Sequence, residues 1–195
     1  LLLYYPLILF GYFFKKMKYT ALIMLFTLPL FYIPLEHYFG TDEIMIGYYS
    51  GYLFLHGFNP YDPHLTANVY EVFNRTKDQY IYGTPYTTGG FVTNLNYPAL
   101  FFLIELPAVI FNFSPNYILL LFYLLTGLVM LLALPDYIGL LFISAYLLNF
   151  NYLYYPLGGV DDIVWVFFLL LAFLVDDVRL KGVLYGLSIS YKQDP

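Results

Sequence analysis

The 195-residue chain is 61% hydrophobic and only 11% charged, which is too little charge to cover the water-facing surface of an ordinary soluble domain, where roughly a quarter of the residues are charged. A formal net charge of −5 argues against a nucleic-acid partner, because such proteins need basic patches. The chain has no cysteine, which excludes disulfides, thiolate nucleophiles and thiolate metal sites.

Continuous apolar runs predict an all-α protein, a multi-pass transmembrane helix bundle in which residues 1–195 form one membrane domain. The longest run reaches the roughly 20 apolar residues that cross a bilayer, and the runs lack the period-two alternation of strands. In chain order the candidate membrane segments are 1–14 (a partial run), 19–35, 98–113, 116–135, 137–155, 160–175 and 182–191.

A long polar connection, residues 36–97, separates two of these segments and is punctuated by Gly, Asn and Pro. Connections of this length are usually functional, and its many Tyr and Phe residues argue against disorder. Its stretch TDEIMIGYYSGYLFLHG predicts an amphipathic helix that Thr41 caps and Gly57 ends. We expect this helix to lie along the membrane surface, where aromatic rings suit the headgroup zone.

Two short basic clusters, 15–18 and 176–182, predict the orientation, because positive residues beside membrane spans stay cytoplasmic. An even number of crossings must then separate them, whereas five apolar segments lie between. The segment 98–113 is the weakest, since it is short, contains two prolines and carries Glu105. We expect it to dip into the membrane and return, or to lie at the interface, with Glu105 shallow enough to reach water.

Two alternatives to a non-crossing segment 98–113 remain. Either the segments 116–135 and 137–155 are bent, or the second basic cluster lies outside the cytoplasm. If an even number of crossings separates the two basic clusters, residues 36–97 and 154–162 face the non-cytoplasmic side of the cell membrane. Both pairs of adjacent acids in these regions are then on the same side, and we expect them to converge on one pocket.

These two acidic pairs are the main candidates for chemistry. Asp42 and Glu43 occupy the first turn of the predicted helix, where acids also complement the helix dipole by about 0.3–1 kcal/mol, so a structural role is the open alternative. A carboxylate in a partly apolar setting suits a general base that activates a hydroxyl. Asp161 and Asp162 follow two glycines, which allow another element to approach closely.

Lys192 ends the last apolar segment. Its amine predicts a point-charge contact with a phosphate oxygen, and the alternative is a boundary lysine whose amine reaches the headgroup zone.

The order of these features resembles the integral-membrane GT-C glycosyltransferases, the superfamily of polyprenyl-phosphate-sugar-dependent mannosyl- and arabinosyltransferases. Each motif alone is weak, and their order along residues 19–192 carries the resemblance. After the first acidic pair the motifs are HGFNPYD at 56–62, NYPALFFLIELPAVIF at 96–111 and LGGVDD at 157–162, followed by RLKGVLYGLSISYK. Family members carry more spans and a further C-terminal region, and residues 63–97 match no family motif.

The resemblance implies a membrane glycosyltransferase that moves a sugar from a polyprenyl-phosphate donor to a hydroxyl acceptor on a glycan, lipid or protein. Asp42, together with Glu43, would be catalytic, and both are the candidate ligands if a divalent metal is used. The implied substrate-binding residues are Asn59, Tyr61, Tyr97, Asp161, Asp162 and Lys192.

The implied partners are the lipid bilayer, the lipid-linked sugar, the acceptor and other membrane subunits. The alternative function is that of a non-catalytic scaffold, a transporter subunit or an inactive fragment of a glycosyltransferase. A transporter would place acids deeper in its spans and pair them with basic residues.

Overall fold

The computed structural model describes residues 4–27, 29–31, 33–35, 40–74, 76 and 83–192. Within these residues the protein is all-helical, and its only extended pairing is an isolated antiparallel bridge between Pro85 and Phe91. The predicted all-α class is therefore confirmed. Parts of the predicted long connection (36–39, 75 and 77–82) and of the predicted first segment (1–3) lie outside the described residues.

The described helices from Ala99 onward follow one another with short connections, whereas residues 73–98 separate the fifth described helix from the sixth. The described helices are α1 (Tyr4–Phe13), α2 (Met17–Thr27), α3 (Asp42–Leu55), α4 (Pro63–Thr66), α5 (Val69–Val72), α6 (Ala99–Phe111), α7 (Asn116–Ala133), α8 (Asp136–Leu148), α9 (Phe150–Leu157), α10 (Ile163–Leu174) and α11 (Val178–Tyr191).

Two predicted segments are shorter than expected. The segment 19–35 was predicted as one helix, but α2 ends at Thr27 and is followed by two 3₁₀ turns, Pro29–Phe31 and Ile33–Leu35, because the prolines cannot continue the helical hydrogen-bond ladder. The segment 137–155 is likewise divided into α8 and α9 at Asn149, whose backbone leaves the helical region.

Helix α3 has the predicted ends, but it is not the expected surface-lying helix. The Thr41 side chain accepts a hydrogen bond from Ile44 N, and Gly57 adopts a φ of +77° just past the helix. Consecutive residues 44–48 are all buried, so the first half of α3 packs on every side. Only its last turn exposes large apolar side chains, those of Tyr52, Phe54 and Leu55.

Helix α6 is continuous from Ala99 to Phe111, so the predicted dip and return within this segment is wrong, whereas the alternative that the segment lies at the membrane interface stays a prediction. It tolerates Pro107 inside the helix and ends where Asn112 adopts a left-handed backbone with φ of 51°. Glu105 is 0% exposed, which also corrects the expectation that this acid reaches water. The acid faces the protein interior because α6 packs along α3 and against α11.

Helix α7 lies between two hydrophobic clusters. Its Ile118 and Leu119 join a cluster formed with α3, α6, α10 and Tyr191 at the end of α11. Its Leu120 and Tyr123 join a second cluster formed with α2, α8 and α9. The first of these clusters supports the candidate site described below.

Among the described helices, α7 alone is both long and apolar enough to cross a membrane by length and composition. Shorter apolar helices of 10–17 residues include α6, α8 and α10. A single helix of this kind is weak support for a membrane location, since the buried core helix of a soluble protein has the same properties.

Candidate functional site

A contact between two glycine backbones brings the two acidic pairs together. Gly40 lies directly against the carbonyl oxygen of Gly158, so that even one methyl group at Gly40 would collide with that backbone. The Thr41 hydroxyl also donates a hydrogen bond to the Gly159 carbonyl. The start of α3 is thus fixed on the 158–159 turn, which confirms the expectation that these glycines permit close approach.

Lys192 joins residues from both pairs. Its Nζ lies 3.2 Å from Glu43 Oε1, 3.3 Å from Asp161 Oδ1 and 2.8 Å from Asp162 Oδ1. We call these four residues the Lys192 cluster. Glu43 of the first acidic pair and both acids of the second therefore meet at one amine, and their three carboxylates carry more negative charge than it can balance. The expected convergence on one pocket stays a prediction, because Asp161 and Asp162 do not line the cavity that Asp42 and Glu43 line.

The two aspartates of the Lys192 cluster differ in pKa because their surroundings differ. Asp161 is 0% exposed, and burial followed by the charge of Glu43 raises its pKa well above the ordinary value, against the effect of Lys192. Burial also acts to raise the pKa of Asp162, but hydrogen bonds from Lys192 and from Trp165 Nε1 outweigh it and lower this pKa. Asp162 is thus the firm anionic partner of the amine.

Lys192 itself remains a cation in this setting. Burial acts to lower its pKa, but Asp161, Asp162 and Glu43 together outweigh burial and raise it. The amine also lies 5.5 Å from the centroid of the Tyr97 ring, a distance at which a cation is attracted to the face of an aromatic ring. In this structure the predicted phosphate-binding lysine therefore contacts carboxylates.

Asp42 lies beside the cluster and faces a small cavity. It is buried at the first position of α3, where its Oδ1 accepts a hydrogen bond from Glu43 N at 3.0 Å and its Oδ2 accepts one from Thr84 N at 2.7 Å. The cavity has a volume of about 60 Å³, which accommodates a hydroxyl group or a few waters rather than a sugar ring. It is lined by Asp42, Glu43, Ile46, Thr84, Val92, Asn96 and Tyr97.

The loop before α6 supplies one wall of this cavity. Val92 N donates to Thr84 O at 2.9 Å and Tyr86 N donates to Gly90 O at 3.0 Å, so the loop turns back on itself in a hairpin-like form. The Tyr86 hydroxyl donates to Asn94 Oδ1 at 2.8 Å. This turn aims the Thr84 N–H at the Asp42 carboxylate.

Tyr97 connects this loop to the Lys192 cluster. Its hydroxyl donates to Glu43 Oε1 at 2.6 Å, and its ring stacks on Phe101 with centroids 4.4 Å apart. Burial, followed by the hydrogen bond to Glu43, raises the pKa of Tyr97, so its hydroxyl stays protonated as a donor. Of the predicted binding residues, Tyr97, Asp161, Asp162 and Lys192 therefore meet at one place.

Asn59 and Tyr61, also predicted to bind substrate, lie outside the cluster. Asn59 Oδ1 accepts from Tyr61 N at 3.1 Å, which stabilises a turn. The Tyr61 hydroxyl donates to the Tyr97 carbonyl at 3.0 Å. In this arrangement the NPYD turn supports the backbone that carries Tyr97.

Sequence reasoning missed two contributors to the site, Thr84 and Trp165. Thr84 acts through its backbone N–H, and a backbone contact of this kind cannot be recognised from the residue type. Trp165 lies three residues after Asp162, one helical turn away, and this spacing was a usable signal for its hydrogen bond.

Within the described ranges, no three His, Asp or Glu side chains are grouped so as to hold a metal ion. The divalent ion at Asp42 and Glu43 stays a prediction. In this structure both carboxylates accept hydrogen bonds from protein donors.

Comparisons with known proteins give no assignment: scans of protein-family models, curated proteins and solved structures found no match to this chain. The resemblance to GT-C enzymes therefore rests on the quoted motifs and their order alone.

Proposed function

We propose that this protein is a multi-pass membrane glycosyltransferase that moves a sugar from a polyprenyl-phosphate donor to a hydroxyl acceptor at the non-cytoplasmic face. One observation carries the proposal. Glu43 and the Asp161–Asp162 pair, which are far apart in sequence, meet at Lys192 beside a cavity that Asp42 lines. Convergent polar groups at one concavity are what a chemical site requires.

Asp42 is the proposed general base. The acceptor hydroxyl enters the small cavity and gives its proton to the Asp42 carboxylate, and its oxygen then bonds to the anomeric carbon of the donor sugar. The bond from that carbon to the phosphate oxygen breaks, and the polyprenyl phosphate leaves with the electron pair. Hydrogen bonds from Thr84 N and Glu43 N hold the base in position at the wall of the cavity, where a hydroxyl that enters comes within its reach.

The surplus of carboxylates suits the transition state of this reaction. Glycosyl transfer passes through an oxocarbenium-like state with positive charge on the sugar ring, and fixed negative charge nearby stabilises it. The Lys192 cluster supplies this charge, and the attraction of its three acids to the one amine offsets part of their mutual repulsion. For Lys192 to contact the donor phosphate it must exchange one of these carboxylates for a phosphate oxygen.

An apolar groove between α6 and α7 is the proposed site of the donor's lipid tail. Its volume is about 500 Å³, and its first lining residue, Leu103, lies in the second turn of α6. The lining residues are Leu103, Ile104, Pro107, Phe113, Tyr117, Ile118, Leu121 and Phe122. An isoprenoid chain fits such a surface because both are apolar.

The test is a transfer assay with the full chain in lipid vesicles and a polyprenyl-phosphate sugar as donor. We expect Asp42→Asn to lower the rate by about 100-fold or more, the usual contribution of a general base. Asp136→Asn is the control. Asp136 is the exposed first residue of α8 and pairs with Lys18 of α2, not with a residue of the Lys192 cluster. Full transfer by Asp42→Asn would remove the catalytic assignment, and no transfer by wild type would favour the scaffold function.

A further inference from the structure

Glu105 is a buried acid that the proposed reaction does not use. It is 0% exposed, and among the described residues neither carboxyl oxygen has a hydrogen-bond partner. Gly47 provides the space for it, since a Cβ built at Gly47 would lie 2.7 Å from Glu105 Oε1 and 2.8 Å from Oε2. The carboxyl group therefore occupies a niche between α3 and α6 that exists because residue 47 has no side chain.

The groups around this niche are acidic. Glu43 lies one turn before Gly47 on α3, and Asp161 precedes α10; both of their negative charges act on Glu105. From α11, Tyr191 faces the same interior, and its buried hydroxyl and Asp161 Oδ2 also have no hydrogen-bond partner within the described ranges. The nearby cation, Lys192, is held by Glu43 and the two aspartates.

An ionised carboxylate in such a niche would be costly. Burying an unpaired charge costs several kcal/mol even after the protein relaxes, and the two neighbouring acids add repulsion. The neutral acid avoids the repulsion and the cost of burying a charge, and it keeps only the smaller cost of burying a polar group without hydrogen bonds.

We propose that Glu105 is an interior proton-binding site, which holds a proton at neutral pH and so keeps the acids of the Lys192 cluster free of a further negative charge. The proton on Glu105 is part of the folded site: its loss places a charge beside Glu43 and Asp161 and weakens their attachment to Lys192. This inference does not depend on the proposed sugar transfer, because it concerns only the charge of the resting protein.

The experiment is infrared spectroscopy of the purified full chain at neutral pH in a detergent without carbonyl groups, because lipid esters absorb where a protonated carboxylic acid does. A protonated carboxylic acid has a C=O stretching band that a carboxylate lacks. Asp161 is also buried with a raised pKa, so its own band is identified by its loss in Asp161→Asn. We expect wild type to have a component of the band that is lost in Glu105→Gln and retained in Asp161→Asn and in the surface control Asp136→Asn. A wild type without the band, or a Glu105→Gln variant whose band equals that of wild type, overturns the proposal.

Gly47→Ala provides a second measurement if Glu105→Gln does not fold. The added methyl group would crowd the Glu105 carboxyl oxygens, so we expect the band to shift in frequency. Gly182→Ala is the matched control, since a Cβ at Gly182 meets no atom within 4 Å. An unshifted band in Gly47→Ala contradicts the assignment of the proton to Glu105.

Discussion

Lys192 is the residue on which the account of the site depends. From its position at the end of the last apolar segment, the amine of Lys192 was predicted to contact a phosphate oxygen. The structure gives it three carboxylate partners, contributed by the start of α3 and by the turn before α10. A part-buried amine close to several acids remains charged, and its attraction for the acids offsets part of their mutual repulsion.

Asp162→Asn tests this electrostatic arrangement through pH. Although burial acts to raise the pKa of Asp162, hydrogen bonds from Lys192 and Trp165 lower it in the folded protein. Such a carboxylate stabilises the fold above its unfolded pKa of about 3.9, and the stabilisation is lost as pH falls through the lower folded value. We therefore expect Asp162→Asn to melt below wild type at neutral pH, and the difference in melting temperature should shrink as the pH falls below about 3.9.

The control for this measurement is Asp136→Asn, whose side chain is 62% exposed and pairs with Lys18 at the surface. Exposed pairs contribute little to stability, so its melting temperature should stay near that of wild type throughout. A difference between Asp162→Asn and wild type that is constant or grows toward acid would contradict the assigned role of Asp162.

At the scale of helices and turns, glycine contacts determine the shape of the site. Gly40 and Gly158 meet through their backbones, and Gly47 makes room for Glu105. Each of these glycines lies within a few residues of one of the acids. Gly40 and Gly47 flank the acids at the start of α3, and Gly158 precedes the acids before α10. Close backbone approach is therefore what places the acids within reach of one amine.

Gly40→Ala tests this dependence directly. Its methyl group would collide with the Gly158 backbone and separate the start of α3 from the 158–159 turn. Misplacing a site by about 1 Å can cost 100-fold in rate, and crowding of a packed region costs about 1–3 kcal/mol in stability. We expect losses of this order in the transfer rate and in the free energy of unfolding.

Gly182→Ala is the matched substitution in open space. Within helix α11 it should leave transfer unchanged and raise stability by up to about 1 kcal/mol, the helix propensity difference. If Gly40→Ala behaves like Gly182→Ala, the glycine contact does not hold the site together.

The ends of α3 could be predicted from sequence, whereas its burial could not. Thr41 and Gly57 act within one turn of their own positions, so local patterns reveal them. The burial of α3 depends on α6, more than 40 residues further along the chain, and the same contact buries Glu105. Long-range packing of this kind leaves no local pattern, so a surface helix and a shallow acid were reasonable but wrong predictions.

For the whole molecule, the convergence of the two acidic pairs was predictable from the orientation argument, but the contacts that produce it were not. The basic clusters placed both pairs on one side, and the structure brings them to Lys192. The membrane topology itself stays a prediction, because within the described residues only α7 has the length and composition to cross a bilayer.

The absence of cysteine from the chain allows this topology to be measured by single-cysteine labelling. Thr88 and Lys181 are both exposed, the first in the loop near Asp42 and the second at the opposite basic cluster. We expect a membrane-impermeant maleimide to label Thr88→Cys in intact cells and Lys181→Cys only after lysis. Labelling of Lys181→Cys in intact cells, or of Thr88→Cys only after lysis, would contradict the proposed orientation.

The most direct test of the account is a double-mutant cycle on the transfer rate with Glu43→Gln, Asp162→Asn and the combined variant. If the two acidic pairs form one site through Lys192, the effects are coupled, and the cycle should give an interaction energy of about 1 kcal/mol or more. Effects that add within about 0.5 kcal/mol would mean that the two pairs act independently, and the single site proposed here would be wrong.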